Sequence, residues 1–176
     1  MAYAIELFLD QETCKHIRRV WERLHDLGVG GPLYDSGAFP HITLSIFDEL
    51  DLEASKRGID LLAGRFTSFD LTFTEIATFT EARNVVFMKA EESPALRDMK
   101  EFLSSTLAAT SAEEWFYSRE DRWVPHVTLA IDVPSDRMGT AVEIASDIPL
   151  PLTSRALKVG VVQLEPLKHL ASRDLG

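Results

Sequence analysis

Two stretches of this 176-residue chain carry side chains that can move protons beside a phosphate: "PHITLSIF" at residues 40–47 and "PHVTLAI" at residues 125–131. Both read Pro-His-(Ile or Val)-Thr-Leu-(small)-Ile, and their histidines, His41 and His126, stand 85 positions apart. Histidine titrates near neutrality, so a protonated and a neutral imidazole can coexist. One takes a proton from an attacking water or hydroxyl while the other protonates a departing ribose oxygen. The hydroxyls of Thr43 and Thr128 can donate to nonbridging phosphate oxygens, whose charge must be held in the transition state. Such a scheme needs no metal ion, and nothing in the sequence calls for a cofactor.

Strand geometry dictates how each stretch presents these groups. Side chains alternate along a strand, so His41, Thr43, Ser45 and Phe47 are expected on one face and Ile42, Leu44 and Ile46 on the other. His126 and Thr128 share a face in the second copy, with Val127, Leu129 and Ile131 opposite. A duplication kept for packing would preserve the aliphatics, but packing gives no reason to keep histidine and threonine on the other face.

The elements around these strands repeat as well. "YAIELFL" reads as a buried strand, and Asp10 stands where a helix N-cap belongs. Cys14, Ile17, Val20, Trp21, Leu24 and Leu27 then recur at helical spacing until Gly28. A turn-rich loop from about Gly28 to Phe39 leads into the first motif. Leu52, Ile59 and Leu62 suggest a short helix weakened by Gly58, and "FDLTF" alternates as a strand. "NVVFM" is a further strand, and Leu96, Met99, Phe102, Leu103 and Leu107 mark an amphipathic helix. A polar loop from roughly Ser111 to Val124, including "SAEEW" read as solvated, precedes the second motif. Met138, Ala141, Val142 and Ala145 form a helical stripe, and "LKVGVVQL" closes the series. Both halves run strand, helix, loop, Pro-His motif, helix, strand, the mark of an internal duplication. The expectation is one α+β domain over residues 1–176, made of two pseudo-symmetric lobes with approximate halves 1–83 and 84–176.

Bulk properties narrow the function. With 18 basic against 28 acidic residues, the net charge of -10 repels a polyphosphate backbone, so extended nonspecific nucleic-acid binding is not expected. A small nucleotide or an RNA-end phosphate held in a local pocket suits that charge. No run approaches bilayer-spanning length and the N-terminal segment lacks a leader pattern, so a cytoplasmic protein without membrane contact is expected, and a monomer. Cys14 stands alone, so it is read as a small buried hydrophobe. His16, His25 and His169 have no partner at ligand spacing and are read as structural or exposed.

The two loops before the motifs hold the remaining candidates. Tyr34 and Phe39 precede the first motif, while Tyr117, Arg119, Arg122 and Trp123 precede the second. Loops at the mouth of a cleft can stack a base on a ring and clamp a phosphate with arginine. Phe47, on the expected histidine face, is a further candidate for lining the cleft, and Ser45 could add a hydroxyl.

At His41-Ile42-Thr43-Leu44 and His126-Val127-Thr128-Leu129 the sequence resembles the two-histidine (2H) phosphoesterases, the superfamily that includes bacterial 2'-5' RNA ligases and 2',3'-cyclic nucleotide phosphodiesterases. The likeness extends to "IELFLD", "NVVFMKAEESPALRDMKEFL" and "VGVVQLEPL". It implies a bilobal fold of two antiparallel sheets flanked by helices around a central cleft, and metal-independent chemistry on RNA-type phosphates. His41 and His126 would be the catalytic pair, with Thr43 and Thr128 on the phosphate. Hydrolysis of a 2',3'-cyclic phosphate is the leading expectation. The alternatives are a 2'-5' RNA ligase, an RNA-end phosphodiesterase, or a nucleotide-binding module without turnover. In that family, terminal segments can return to pair with each other, so the lobes need not be contiguous halves.

Overall fold

Asp10 caps the first helix as its position predicts: its carboxylate accepts from the Thr13 backbone N–H at 2.9 Å. The helix ends where Gly28 takes a left-handed φ of 62°, its N–H donating to the His25 carbonyl and that of Val29 to Leu24. The computed structural model describes residues 2–107 and 113–176. Its elements are β1 (Tyr3–Leu9), α1 (Gln11–Asp26), β2 (His41–Phe47), α2 (Leu52–Arg65), β3 (Phe69–Phe79), β4 (Val85–Ala90), α3 (Pro94–Leu107), β5 (His126–Ile131), α4 (Met138–Ala145), β6 (Leu152–Leu164) and β7 (Leu167–Asp174). Among the described residues, no helix is long and apolar enough to cross a membrane.

The strands form one antiparallel sheet in the order β2-β1-β6-β3-β4-β5, with β7 also pairing β6. The path reads the same after exchanging β1 with β4, β2 with β5 and β3 with β6, which is the signature of a pseudo-twofold repeat. The expected antiparallel α+β architecture is present, but where two sheets were expected the strands pair into one, joined through β6 and β3. That strand pairs β3 over Leu152–Ala156 and β1 over Ala156–Gln163, so the third strand of each repeat is exchanged between the two ends of the sheet. A cut at residue 83 therefore falls in the β3–β4 hairpin and does not separate two spatial lobes. Sheet pairing is long-range, and periodicity within a strand carries no information about it.

β2 and β5 are the ends of the path, yet residues of the two approach within 8 Å Cα to Cα. The sheet curls until its ends face each other. One face of the sheet belongs to the core: Ile5, Leu7, Ile42, Leu44, Leu129, Val159 and Val161 are buried there with Ile17, Trp21, Leu24, Leu96 and Leu103 of the helices. The other face is where His41 and His126 stand.

Candidate active site

Each motif strand carries a β-bulge at the same place. Ile5 pairs Ser45 and Glu6 pairs Thr43, leaving Leu44 as the extra residue. Val86 pairs Ala130 and Phe87 pairs Thr128, leaving Leu129. A bulge resets the alternation of side chains. Beyond it Ser45 and Phe47 lie on the core face opposite Ile5 and Tyr3, which corrects the expectation that both share the face of His41. Phe47 is 4% exposed and packs in the core, so it does not line the cleft. Ser45 is buried, and its hydroxyl accepts from the Lys100 ammonium at 2.9 Å. The small residue after the bulge, Ser45 or Ala130, fits this buried position.

The paired histidines have the same tautomer for the same reason. Nδ1 of His41 lies 2.6 Å from the Phe39 carbonyl, and Nδ1 of His126 lies 2.6 Å from the Val124 carbonyl. A carbonyl oxygen only accepts, so each Nδ1 carries the proton and donates it. Both Nε2 atoms are thereby left to exchange protons with a substrate. Thr43 and Thr128 follow on the same face, half-buried.

Cross-strand neighbours make the two histidines unequal. On β1, Glu6 opposes Thr43 and Phe8 opposes His41; on β4, Phe87 opposes Thr128 and Lys89 opposes His126. Glu6 is 2% exposed, and its Oε1 lies 3.4 Å from His41 Nε2. Burial raises the Glu6 carboxyl above its ordinary range, opposed by the pull of His41 and His169. His126 instead rests on an apolar pair: the Phe87 ring is 4.9 Å from it and the Phe79 ring 5.3 Å, the two phenylalanines being stacked at 4.1 Å. Burial lowers its basicity, the bond to Val124 opposes this, and the charge of His41 adds to the lowering.

His169, read from sequence as structural or exposed, sits on the His41 side. Its ring lies 4.5 Å from Phe39 and 6.0 Å from Phe8. Phe8 in turn covers Gly160, where an added Cβ would stand 2.7 Å from the ring and 2.9 Å from the Ala171 carbonyl, so only glycine allows this approach. Phe39 is 48% exposed with the Arg18 guanidinium 5.7 Å from its ring, and offers a face beside His41.

The loops before the motifs are exchanged. Gly31 N–H, ahead of the first motif, donates to the Ile131 carbonyl of β5. Ahead of the second motif, Trp115 N–H donates to the Ile46 carbonyl, Ile46 N–H donates to Ser118 Oγ, and the Trp123 indole donates to the Thr43 carbonyl at 2.8 Å, all on β2. Each loop thus covers the open edge of the other motif's strand, satisfying backbone groups an edge would leave bare.

The remaining candidates divide accordingly. Tyr34 donates to Glu22 and lies on His25, so its contacts are with α1 rather than with either motif. Trp123 is held by Thr43 and the Lys100 ammonium, which makes it a pin of the rim. Tyr117 is 61% exposed, and the guanidinium groups of Arg119 and Arg122 lie 5.9 and 5.0 Å from the Phe116 ring. Ser111 and Ala112 of the expected loop fall outside the described residues. Glu114 in "SAEEW" is no solvated side chain, since it pairs with the buried Lys100 at 2.6 Å. A concavity of about 550 Å³ lies at the Pro125 end of β5 and is lined by Thr74, Lys89, Glu91, Trp123 and Pro125. Among the described residues, no three His, Cys, Asp or Glu side chains gather to hold a metal ion.

Glu6, Phe8, Phe79, Phe87 and His169 were missed from sequence. Only the charge of Glu6 within the apolar run "YAIELFL" stood out as a signal, because a carboxylate in a buried strand needs a partner.

A family model described as the 2'-5' RNA ligase superfamily matches residues 9–165. A curated Geobacillus thermodenitrificans protein named "Putative phosphoesterase" is 28% identical over 98 residues, 54% of this chain and 53% of that one, so the match spans about half of that relative's length. Among solved structures, E. coli LigT complexed with 3'-AMP superposes with a TM-score of 0.66 at 19% identity, covering 98% of this chain and 97% of that one. TT0787 of Thermus thermophilus gives 0.71 at 18%, covering 99% and 98%. Kluyveromyces marxianus Usb1 gives 0.53 at 10%, covering 99% and 97%. These structural likenesses are of fold.

Proposed function

Because the chain belongs to the 2'-5' RNA ligase superfamily, we propose that it is a phosphoesterase of RNA-type ribose phosphates that hydrolyses a 2',3'-cyclic phosphate, with His126 as general base and His41 as general acid. The observation that carries this reading is the pair of imidazoles with both Nδ1 atoms bound to carbonyls, which leaves Nε2 of each ring as the nitrogen that exchanges protons, that of His41 beside Glu6 and that of His126 in an apolar setting. Water loses its proton to His126 Nε2 as its oxygen bonds to phosphorus. The bond from phosphorus to one ribose oxygen breaks, and that oxygen takes the proton from His41 Nε2. Thr43 and Thr128 hold the nonbridging oxygens through this exchange. His126 suits the base because its apolar setting favours the neutral ring.

The residues call for no cofactor, and a small nucleotide or an RNA end is the substrate class. The exposed Phe116 and Tyr117 beside Arg119 and Arg122, on a loop strapped to β2, favour an RNA end over a mononucleotide.

The test is incubation with 2',3'-cyclic AMP and separately with the 3',5' isomer, chelator present, followed by phosphorus NMR. Conversion of the 2',3' ring alone is expected, with His41→Ala and His126→Ala each slower by about 10²- to 10⁴-fold. Wild-type rates in both variants would refute the reading.

A further inference from the structure

Proper acid–base catalysis by two like groups requires something to hold one protonated and the other neutral. The motifs make His41 and His126 alike, so the difference must come from positions at which the two copies of the repeat diverge. At the position opposite the motif threonine, one end of the sheet has Glu6 and the other has Phe87. The exchange replaces a phenyl ring 4.9 Å from His126 by a carboxylate oxygen 3.4 Å from His41 Nε2.

We propose that Glu6 is a positioning residue for the acid, its buried carboxylate holding His41 in the protonated form that the departing ribose oxygen requires. The inference deepens the hydrolytic reading and rests on it for its catalytic meaning. Geometry supports it in three ways. Glu6 is 2% exposed, so burial raises its carboxyl, but the same burial leaves the attraction between its carboxylate and His41 little screened by water, and that attraction opposes the rise. The contact is to Nε2, the nitrogen not bound to the Phe39 carbonyl. The His41 side chain retains 21% exposure, so a substrate can still reach it.

Other titratable groups on this face are His169 on β7, which also attracts Glu6, Lys158 on β6, paired with Asp174 at 3.1 Å, and, at the His126 end, Lys89 on β4, paired with Glu75 at 3.0 Å. His126 faces His41 across the cleft and its charge would work against a proton on His41. Glu6 is the acidic side chain in contact with His41, and the ion pair it makes is neutral, so an incoming phosphate meets no net repulsion from it. When His41 gives its proton to the leaving oxygen, no proton is taken from Glu6. The carboxylate keeps its charge, and solvent restores the imidazolium after the product leaves.

The experiment compares the wild type with Glu6→Gln, which keeps shape and removes charge. Nitrogen-15 imidazole NMR from pH 5 to 9 follows both histidines without needing turnover. His41 should be imidazolium at pH 7 in the wild type, and its midpoint in the variant should fall by about one pH unit or more, a tenfold change in proton affinity. His126 should move far less. In turnover of 2',3'-cyclic AMP, kcat should fall at least about tenfold with KM within a few-fold, and the basic limb of the pH profile should move to lower pH. Glu6→Asp, retaining charge on a shorter arm, should recover part of the rate. Superimposable His41 titrations in wild type and Glu6→Gln overturn the inference. If Glu6→Gln does not fold, a neutral His41 at pH 7 in the wild type overturns it equally. A retained titration difference without turnover of any ribose phosphate by the wild type sinks the hydrolytic reading and leaves the charge pairing standing.

Discussion

The Trp123 indole donates to the Thr43 carbonyl at 2.8 Å across 80 positions of sequence, and the Trp21 indole repeats this at the other end of the sheet, donating to the Thr128 carbonyl at 3.2 Å. Each motif threonine is thus held through its backbone by a tryptophan from elsewhere. Both motif strands are sheet ends, so these carbonyls have no neighbouring strand to bind. Replacing Trp123 with Phe keeps most of the ring and removes the donor. The expected loss is about 1–3 kcal/mol, the cost of a polar group left unsatisfied, with a lower kcat as Thr43 loses its anchor. Urea unfolding and steady-state kinetics together check it, and unchanged stability would show that water replaces the indole.

The acid limb of kcat/KM should lie below about 6.5, the ordinary histidine value. As base, His126 must be neutral, and burial against Phe79 and Phe87 keeps it neutral to lower pH. Phe79→Asn admits water beside the ring and should move that limb upward, toward the ordinary value. A rate profile of wild type and variant from pH 4.5 to 8 decides it, and a wild-type limb above the ordinary value contradicts the assignment.

Asp10 joins the start of α1 to β6. Burial alone would raise its carboxyl, but bonds from Thr13 N–H, Ser154 Oγ, Arg155 N–H and Thr13 Oγ1 hold it at about 2. A carboxyl depressed from 3.8 in this way stabilises the fold fully above that value and loses its contribution as pH falls toward 2. Asp10→Ala should cost about 1–2 kcal/mol at pH 7. The gap between variant and wild type should narrow by pH 3, as measured by urea midpoints at the two pH values.

Lys100 is 1% exposed in its side chain and binds Ser45 and Glu114, tying α3 to the bulge of β2 and to the loop over its edge. Lys100→Met leaves Glu114 unpaired in a half-buried place and should cost about 3 kcal/mol. Adding Glu114→Gln should restore much of that loss, because the pair is worth less than the penalty of breaking it. Denaturation of the two single variants and the double variant gives the coupling, and strict additivity would argue against it.

Cys14 illustrates how local reading and tertiary setting combine. Its place on the apolar face of a helix identified it as a small hydrophobe, and it is half-buried with its thiol directed at the Leu9 carbonyl at 3.7 Å. Burial, and then the neighbouring Asp10, push the thiol up to about 11. Phe47 shows the opposite case. Strict alternation put it on the face of His41, and a single unpaired residue at Leu44 turned it into the core. β7 escaped notice because its residues are mostly exposed or half-buried, so "LKHLASRD" lacks the alternation that marks a strand with one buried face.

The sequence by itself determined the helices and most strands, the caps at Asp10 and Gly28, the duplication, and the His-Thr pairs of its two motif strands. These follow from periods of 3.6 and 2 residues and from capping chemistry, which act over a few positions. Only the tertiary structure decided that β3 and β6 exchange between repeats, that each loop covers the other motif's edge, and that Glu6 stands by His41 where Phe87 stands by His126. Those relationships join residues far apart in the chain through strand pairing and bulges, whose register is set by the burial of the whole sheet rather than by any segment of it.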